Sequence, residues 1–245
     1  MGCTGKTVSK YVLFSGDPWR VNVVKEHLEH VEEAAFLREF NTCTGVYKGL
    51  RVTVTSTGIG APSAAIAMEE MYECGMKVAL RMGTAMALRD DMLGHFIVPI
   101  GSMRRESTSK TYVEESYPAV ADLDLVNTIN GVVADYGKKS FNGISCTMDG
   151  FYTQMHDSLF SKNRNINITS VFDNLRALGV SGIDMESSCM LTVGRLMGVK
   201  TAVVTAVTVL ENLKKSLAGQ ERIDTEVLLC QVALESMLRY ANREK

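Results

Sequence analysis

The chain has 245 residues, 46% hydrophobic and 22% charged, with a formal net charge of −2 at pH 7. This composition excludes a disordered, low-complexity or collagen-like chain. It also lacks the basic excess of a protein that binds nucleic acid or an anionic membrane. No apolar stretch reaches the roughly eighteen residues of a spanning helix, and the N-terminal MGCTGKTVSK lacks the apolar core of a secretory signal. The cysteines Cys3, Cys43, Cys74, Cys146, Cys189 and Cys230 are scattered without a CxxC pair. That is the pattern of free thiols in a reducing cytoplasm, so a cytoplasmic protein with a single domain over residues 1–245 is expected.

In chain order, Tyr11–Ser15 reads as a strand that stops at GDPWR (16–20). From Trp19 to about Val31, Val21, Val24, Leu28 and Val31 recur with a helical period. Two strands, Cys43–Tyr47 and Arg51–Ser56, flank a Lys48-Gly49 turn. The small-residue stretch Gly58–Ala65 leads into a helix ending near Glu73, with Gly75 as its stop. Val78–Gly83 and Phe96–Ile100 read as strands, Asp122–Tyr136 as a helix with an acidic start, and Gly143–Thr147 as another strand. Val180–Asp184 is extended, Ser187–Met197 helical, and Thr201–Leu210 has the Val- and Thr-rich character of a strand buried on both faces. A helix over Thr225–Arg239 closes the pattern. Strands alternating with helices predict an α/β domain whose mixed, largely buried sheet is flanked by helices.

Ligands of open α/β sheets bind beyond the carboxyl ends of strands, which directs attention to the residues there. GDPWR (16–20) combines turn residues with helix-start N–H groups able to receive an anion, and Arg20 lies close by. Arg81 interrupts the apolar run VALRMGTAM (78–86), where a charge requires a partner. That partner is either a core carboxylate or a bound oxyanion, to which Thr84 could add a hydroxyl. In GIDMESS (182–188), Asp184 and Glu186 either cap the following helix or accept hydrogen bonds from ligand hydroxyls. Met82, Met86 and Met185, near strand ends, could line an apolar pocket. GIGAPS (58–63) lacks the third glycine of a dinucleotide fingerprint, and no Walker A, Gly-x-Ser-x-Gly or histidine metal motif occurs. His27, His30, His95 and His156 are too dispersed for a metal site, so none is expected.

Taken in order, GDPWR, LREF (37–40), STGIGAPSAAIAMEEM (56–71), LRMGTA (80–85), YPAVADLD (117–124), GFY (150–152) and DMES (184–187) resemble the nucleoside phosphorylase family. That family includes uridine phosphorylase and the hexameric purine nucleoside phosphorylases, and the likeness is greater to the former. It runs from about residue 10 to the C-terminus and fits the family signature with Met71 where leucine is usual. The resemblance implies phosphate-binding roles for Gly16, Arg20, Arg81 and Thr84, with Arg38 reaching into a neighbouring subunit's phosphate site. Met185 and Glu186 match the ribose-contacting pair, Asp184 replaces a glutamate, and Phe151 matches the residue that packs on the base. Glu39, Ile59 and Ser63 match positions holding a monovalent cation such as K+ at a dimer interface.

The base-reading elements depart from the family. Uridine phosphorylases carry a Gln-x-Arg unit soon after the Phe-Tyr pair; here the chain reads TQMHD (153–157), with Gln154 one position early and no arginine within reach. GQER (219–222) lies beyond the last core strand and is read as a coincidental likeness. Glu211 falls near the catalytic aspartate of the purine enzymes, and no histidine precedes His27 to serve a neighbouring chain. Base contacts are therefore expected from Phe151, Gln154, His156, Val209, Leu210 and Glu211. The implied activity is phosphorolysis of a nucleoside, uridine or a related pyrimidine nucleoside, to free base and ribose 1-phosphate. Inorganic phosphate is co-substrate, no cofactor is needed, and the assembly is a homo-oligomer, expected as a hexamer, with sites shared across dimers. The rivals are a purine or 5′-substituted nucleoside phosphorylase and a non-catalytic nucleoside binder.

Overall fold

The structure, a computed structural model, describes residues 1–244. In chain order its elements are β1 (Tyr11–Ser15), α1 (Pro18–Lys25), β2 (Glu29–Leu37), β3 (Phe40–Tyr47), β4 (Leu50–Ser56), α2 (Ala61–Glu73) and β5 (Val78–Ala87). Then come β6 (Phe96–Ile97), β7 (Gly101–Arg105), β8 (Ala119–Val120), α3 (Leu123–Asp135), β9 (Ser140–Phe141) and β10 (Ile144–Met148). A π-helical turn at Phe151–Met155 precedes α4 (Leu159–Asn163), α5 (Thr169–Ala177), β11 (Val180–Asp184), α6 (Ser187–Leu196), β12 (Lys200–Leu210) and α7 (Gly219–Arg243).

All the strands join one 12-stranded mixed sheet, ordered β2-β3-β4-β1-β5-β11-β10-β7-β8, with β12 pairing β5 and β6, and β9 pairing β6. The period-2 alternation of β1 divides the core between two layers. Tyr11 and Leu13 pack with residues of α1, α3 and α7, whereas Val12 and Phe14 pack with α2 and α6. The same alternation in β5 sends Val78, Leu80 and Met82 to the first layer and Ala79 to the second. Arg81, in phase with Ala79, therefore points toward the side carrying α2 and α6.

One interruption in this sheet creates the site. Along one edge, β5 is paired in parallel with β1 as far as Ser15↔Met82. Antiparallel pairing with β11 begins only at Ile183↔Met86. Between them, Gly83, Thr84 and Ala85 have no partner strand on that edge, although β12 pairs the other edge throughout. The sheet splits here, as at a topological switch point.

The expected α/β class and most expected elements are present, with two differences at the periphery. The first helix ends at Lys25 rather than near Val31, and β2 follows it. A helical period read through Leu28 and Val31 was misleading: both are half-buried residues packed on the first core layer from outside the helix. The strand expected at Phe96–Ile100 is confined to β6 at Phe96–Ile97, and β7 begins only at Gly101.

Candidate active site

The notch beside β5 opens into a cavity of about 620 Å³, within the usual range for small-molecule sites. Its walls come from the loop after β1, the turn before α2, the open edge of β5, the end of β11, the π-helical turn and β12.

One end is polar. Pro18 fixes the first turn of α1, and Asp17 caps it by accepting from the Trp19 N–H at 2.8 Å. Arg20, on that turn, is buried; its Nε donates to Glu226 Oε2 at 2.9 Å and its Nη1 to Ser15 Oγ at 3.2 Å. Arg81 is only 3% exposed. Its Nη2 is ion-paired with Glu186, its Nε lies 3.4 Å from Asp184 Oδ2, and its buried Nη1 has no partner. Gly83 makes room for this fork: a Cβ there would stand 2.9 Å from Arg81 Nη2. Thr84 presents its side chain to the same cavity.

Glu186 lies immediately before α6 and accepts at Oε1 from the Gly60 N–H at 2.6 Å. Gly60, at φ +99°, supplies this donor from a backbone conformation that suits glycine. Burial pushes the Glu186 carboxyl above the usual range, the Arg81 charge opposes that shift, and the Asp184 charge adds to it. Asp184 caps α6, accepting from the Ser187 N–H at 3.1 Å and Ser187 Oγ at 2.5 Å. It also accepts from Thr147 Oγ1 at 2.8 Å. Of the alternatives left open by the sequence, the structural ones are present: Arg81 has core carboxylate partners, with one donor left unpartnered, and Asp184 caps the helix, while Glu186 lines the cavity.

The other end is apolar. Phe151, Met155, Met86, Ile183, Met185 and Val209 belong to one hydrophobic cluster and line the wall. Thr208 is the polar exception. A register shift between Val207 and Val209 makes it the bulged residue of β12, and it lines the cavity.

Several expected base contacts lie elsewhere. Gln154 Oε1 accepts from the Gly150 N–H at 2.9 Å and secures the π-helical turn. His156 Nδ1 lies 3.2 Å from Asn212 Oδ1. Leu210 is buried in a separate apolar cluster with Ile97 and Val207. Glu211 is ion-paired with Arg176 and with Lys214 Nζ at 2.8 Å. None of these four side chains lines the cavity. Arg38 is also away from it, exposed on the tight β2–β3 turn at φ +57°. Ile59 reaches the rim; Glu39 packs against Gly58, and Ser63 Oγ donates to Ile59 O at 3.3 Å. Sequence reasoning missed Thr147, Met155, Thr208 and Glu226. Thr147 and Thr208 lie in the last residues of β10 and β12, a position that could have marked them; the other two carry no local signal.

The phosphorylase superfamily profile matches residues 10–239. Uridine phosphorylase of Thermococcus kodakarensis is 35% identical over 208 residues, covering 84% of this chain and 75% of the relative. Guanosine phosphorylase of Halorubrum lacusprofundi is 31% identical over 201 residues, covering 82% and 78% respectively. The crystal structure of uridine phosphorylase from Vibrio fischeri superposes with a TM-score of 0.84 at 33% identity, covering 97% of this chain and 95% of that one. The chain belongs to the phosphorylase superfamily.

Proposed function

We infer that the protein is a nucleoside phosphorylase, a pentosyltransferase that uses inorganic phosphate to release the base of a nucleoside as ribose 1-phosphate forms. The observation that carries this reading is the orphaned Arg81 Nη1, buried in a cavity wall that Arg20, Thr84 and Glu186 share. An unpaired buried donor is costly, and a bound oxyanion would satisfy it. A phosphate oxygen bonds to C1′ while the bond from C1′ to the base nitrogen breaks, and that bond's electron pair leaves with the base. Arg20, Arg81 and Thr84 hold the phosphate, and Gly16 lets its backbone approach closely. Glu186, ionised, accepts from the ribose hydroxyls, with Met185 against the sugar. Phe151 and its apolar neighbours enclose the base. Positioning and electrostatics carry the chemistry, and no organic cofactor is called for.

The base proposed is uracil or a related pyrimidine. A purine leaves most readily with an acid near N7, but Glu211 is held by Arg176 and Lys214 outside the cavity. A pyrimidine spreads departing charge over its carbonyl oxygens and ring nitrogen, where the Thr208 hydroxyl can donate. A nucleoside panel tests this: with phosphate present, uridine should be cleaved in preference to inosine. Cleavage of inosine with none of uridine would overturn the base assignment.

A homo-oligomer with shared sites fits the β2–β3 hairpin, which exposes Phe36 and Leu37 next to Arg38. Arg38 of one copy would reach the neighbour's phosphate, and the assembly would be a hexamer. Glu39, Ile59 and Ser63 offer a carboxylate, a carbonyl and a hydroxyl close together, hard oxygen donors suited to a monovalent cation such as K+. Three donors are about half a coordination shell, so a second copy would complete it. A cytoplasmic setting fits the six unpaired cysteines.

A further inference from the structure

No residue of the last helix lines the cavity, yet the helix sends a carboxylate to Arg20 at the phosphate end. Glu226, in the second turn of α7, is only 5% exposed. Its two oxygens are divided between two arginines: Oε2 accepts from Arg20 Nε and Oε1 from Arg222 Nε, each at 2.9 Å. Arg222 belongs to GQER (219–222), the segment whose likeness to a base-reading unit looked coincidental. It stands on the protein's rim, about half exposed, and holds Glu226 from outside.

The geometry points to Glu226 as a positioning residue for Arg20, one that aims the guanidinium and offsets its charge while no anion is bound. A guanidinium has five N–H groups in a fixed plane. The Nε–H of Arg20 goes to Glu226 and one Nη1–H to Ser15 Oγ, two anchors at separate points of the guanidinium plane. Two fixed points fix the plane, and the Nη2 group, without a partner in the described chain, keeps its donors for an anion. A buried arginine with no counter-charge would be strongly destabilising, so Glu226 also allows Arg20 to remain buried when phosphate is absent. The same negative charge opposes the incoming phosphate. Glu226 thus has two opposing effects on phosphate affinity, and they separate on substitution.

This inference rests on the phosphorolysis reading. The test is steady-state kinetics with phosphate and nucleoside varied separately, on Glu226→Ala and Glu226→Gln. In Glu226→Ala the fork loses its anchor, and the KM for phosphate should rise tenfold or more while the KM for nucleoside stays within twofold. In Glu226→Gln the amide oxygen still accepts from Arg20 Nε but the opposing charge is gone, so the phosphate KM should fall at least threefold, again with nucleoside KM unchanged. If Glu226→Ala does not fold, the glutamine variant alone decides. A phosphate KM unmoved in Glu226→Gln, or phosphate and nucleoside KM values shifting in parallel, would overturn the positioning role. Failure of the wild-type protein to release base with phosphate would instead overturn the phosphorolysis reading itself.

Discussion

Arg81 combines a structural position with the phosphate contact proposed for it. Two carboxylates hold it in the sheet, and one nitrogen remains without a partner. On the proposed reading, removing it deletes charge-assisted hydrogen bonds to phosphate, worth about 2–5 kcal/mol of transition-state stabilisation. Arg81→Ala should therefore lose most of its kcat/KM for phosphate. It also strands Asp184 and Glu186, so Arg81→Lys, which keeps the charge and loses the fork, serves as the folded control. Unchanged phosphate dependence in either folded variant would leave Arg81 a purely structural residue. Glu186 gives a second residue-level expectation. Its carboxyl is held above the ordinary glutamate pKa of about 4.3 by burial, against the opposing Arg81 charge. On the proposed reading, the ionised form is the stronger acceptor for the ribose hydroxyls. At saturating phosphate, kcat/KM for nucleoside should fall with decreasing pH through an acid limb above that ordinary value. Glu186→Gln should abolish the limb along with most of the activity; a limb that persisted unchanged would belong to another group.

At the scale of elements, the packing of α6 on β12 turns on Gly194. A Cβ there would collide with the Thr201 side chain and lie 3.2 Å from Met68 Cε. Gly194→Ala gains about 1 kcal/mol of helix propensity but incurs about 1–3 kcal/mol of overpacking. The net should be destabilising, read as a lower midpoint in urea; a higher midpoint would mean that Thr201 rotates away freely. Well-buried elements were legible in the sequence: β1, α2, β11, α6 and β12 follow apolar runs or periodicities. β2 was not, because both its faces are largely exposed and its pairing with β3 leaves no alternation to read. The site divided similarly. Gly16, Arg20 and Glu186 sit at a strand end or helix start, and Arg81 breaks the apolar run of β5 three residues before Thr84, so local pattern marks them. Gln154 and Glu211 carried the right chemistry in the right stretch, but a turn N–H captures one, and distant Arg176 with nearby Lys214 captures the other. Such capture depends on tertiary contacts that spacing along the chain does not encode.

For the whole molecule, the single-chain cavity lacks Arg38, whose hairpin projects outward beside exposed Phe36 and Leu37. If sites are shared, chains carrying Arg38→Ala mixed with chains carrying Glu186→Ala should regain activity, because one site of each mixed pair recovers both groups. No gain after confirmed subunit exchange would contradict sharing.

The most direct measurement is the stoichiometry of the reaction with uridine, following uracil by absorbance and phosphorus species by 31P NMR. One ribose 1-phosphate should form per uracil released, and release should cease when phosphate is withheld. Free ribose appearing in phosphate-free buffer, or no uracil released at any phosphate concentration, would contradict a phosphate site built on Arg20 and Arg81.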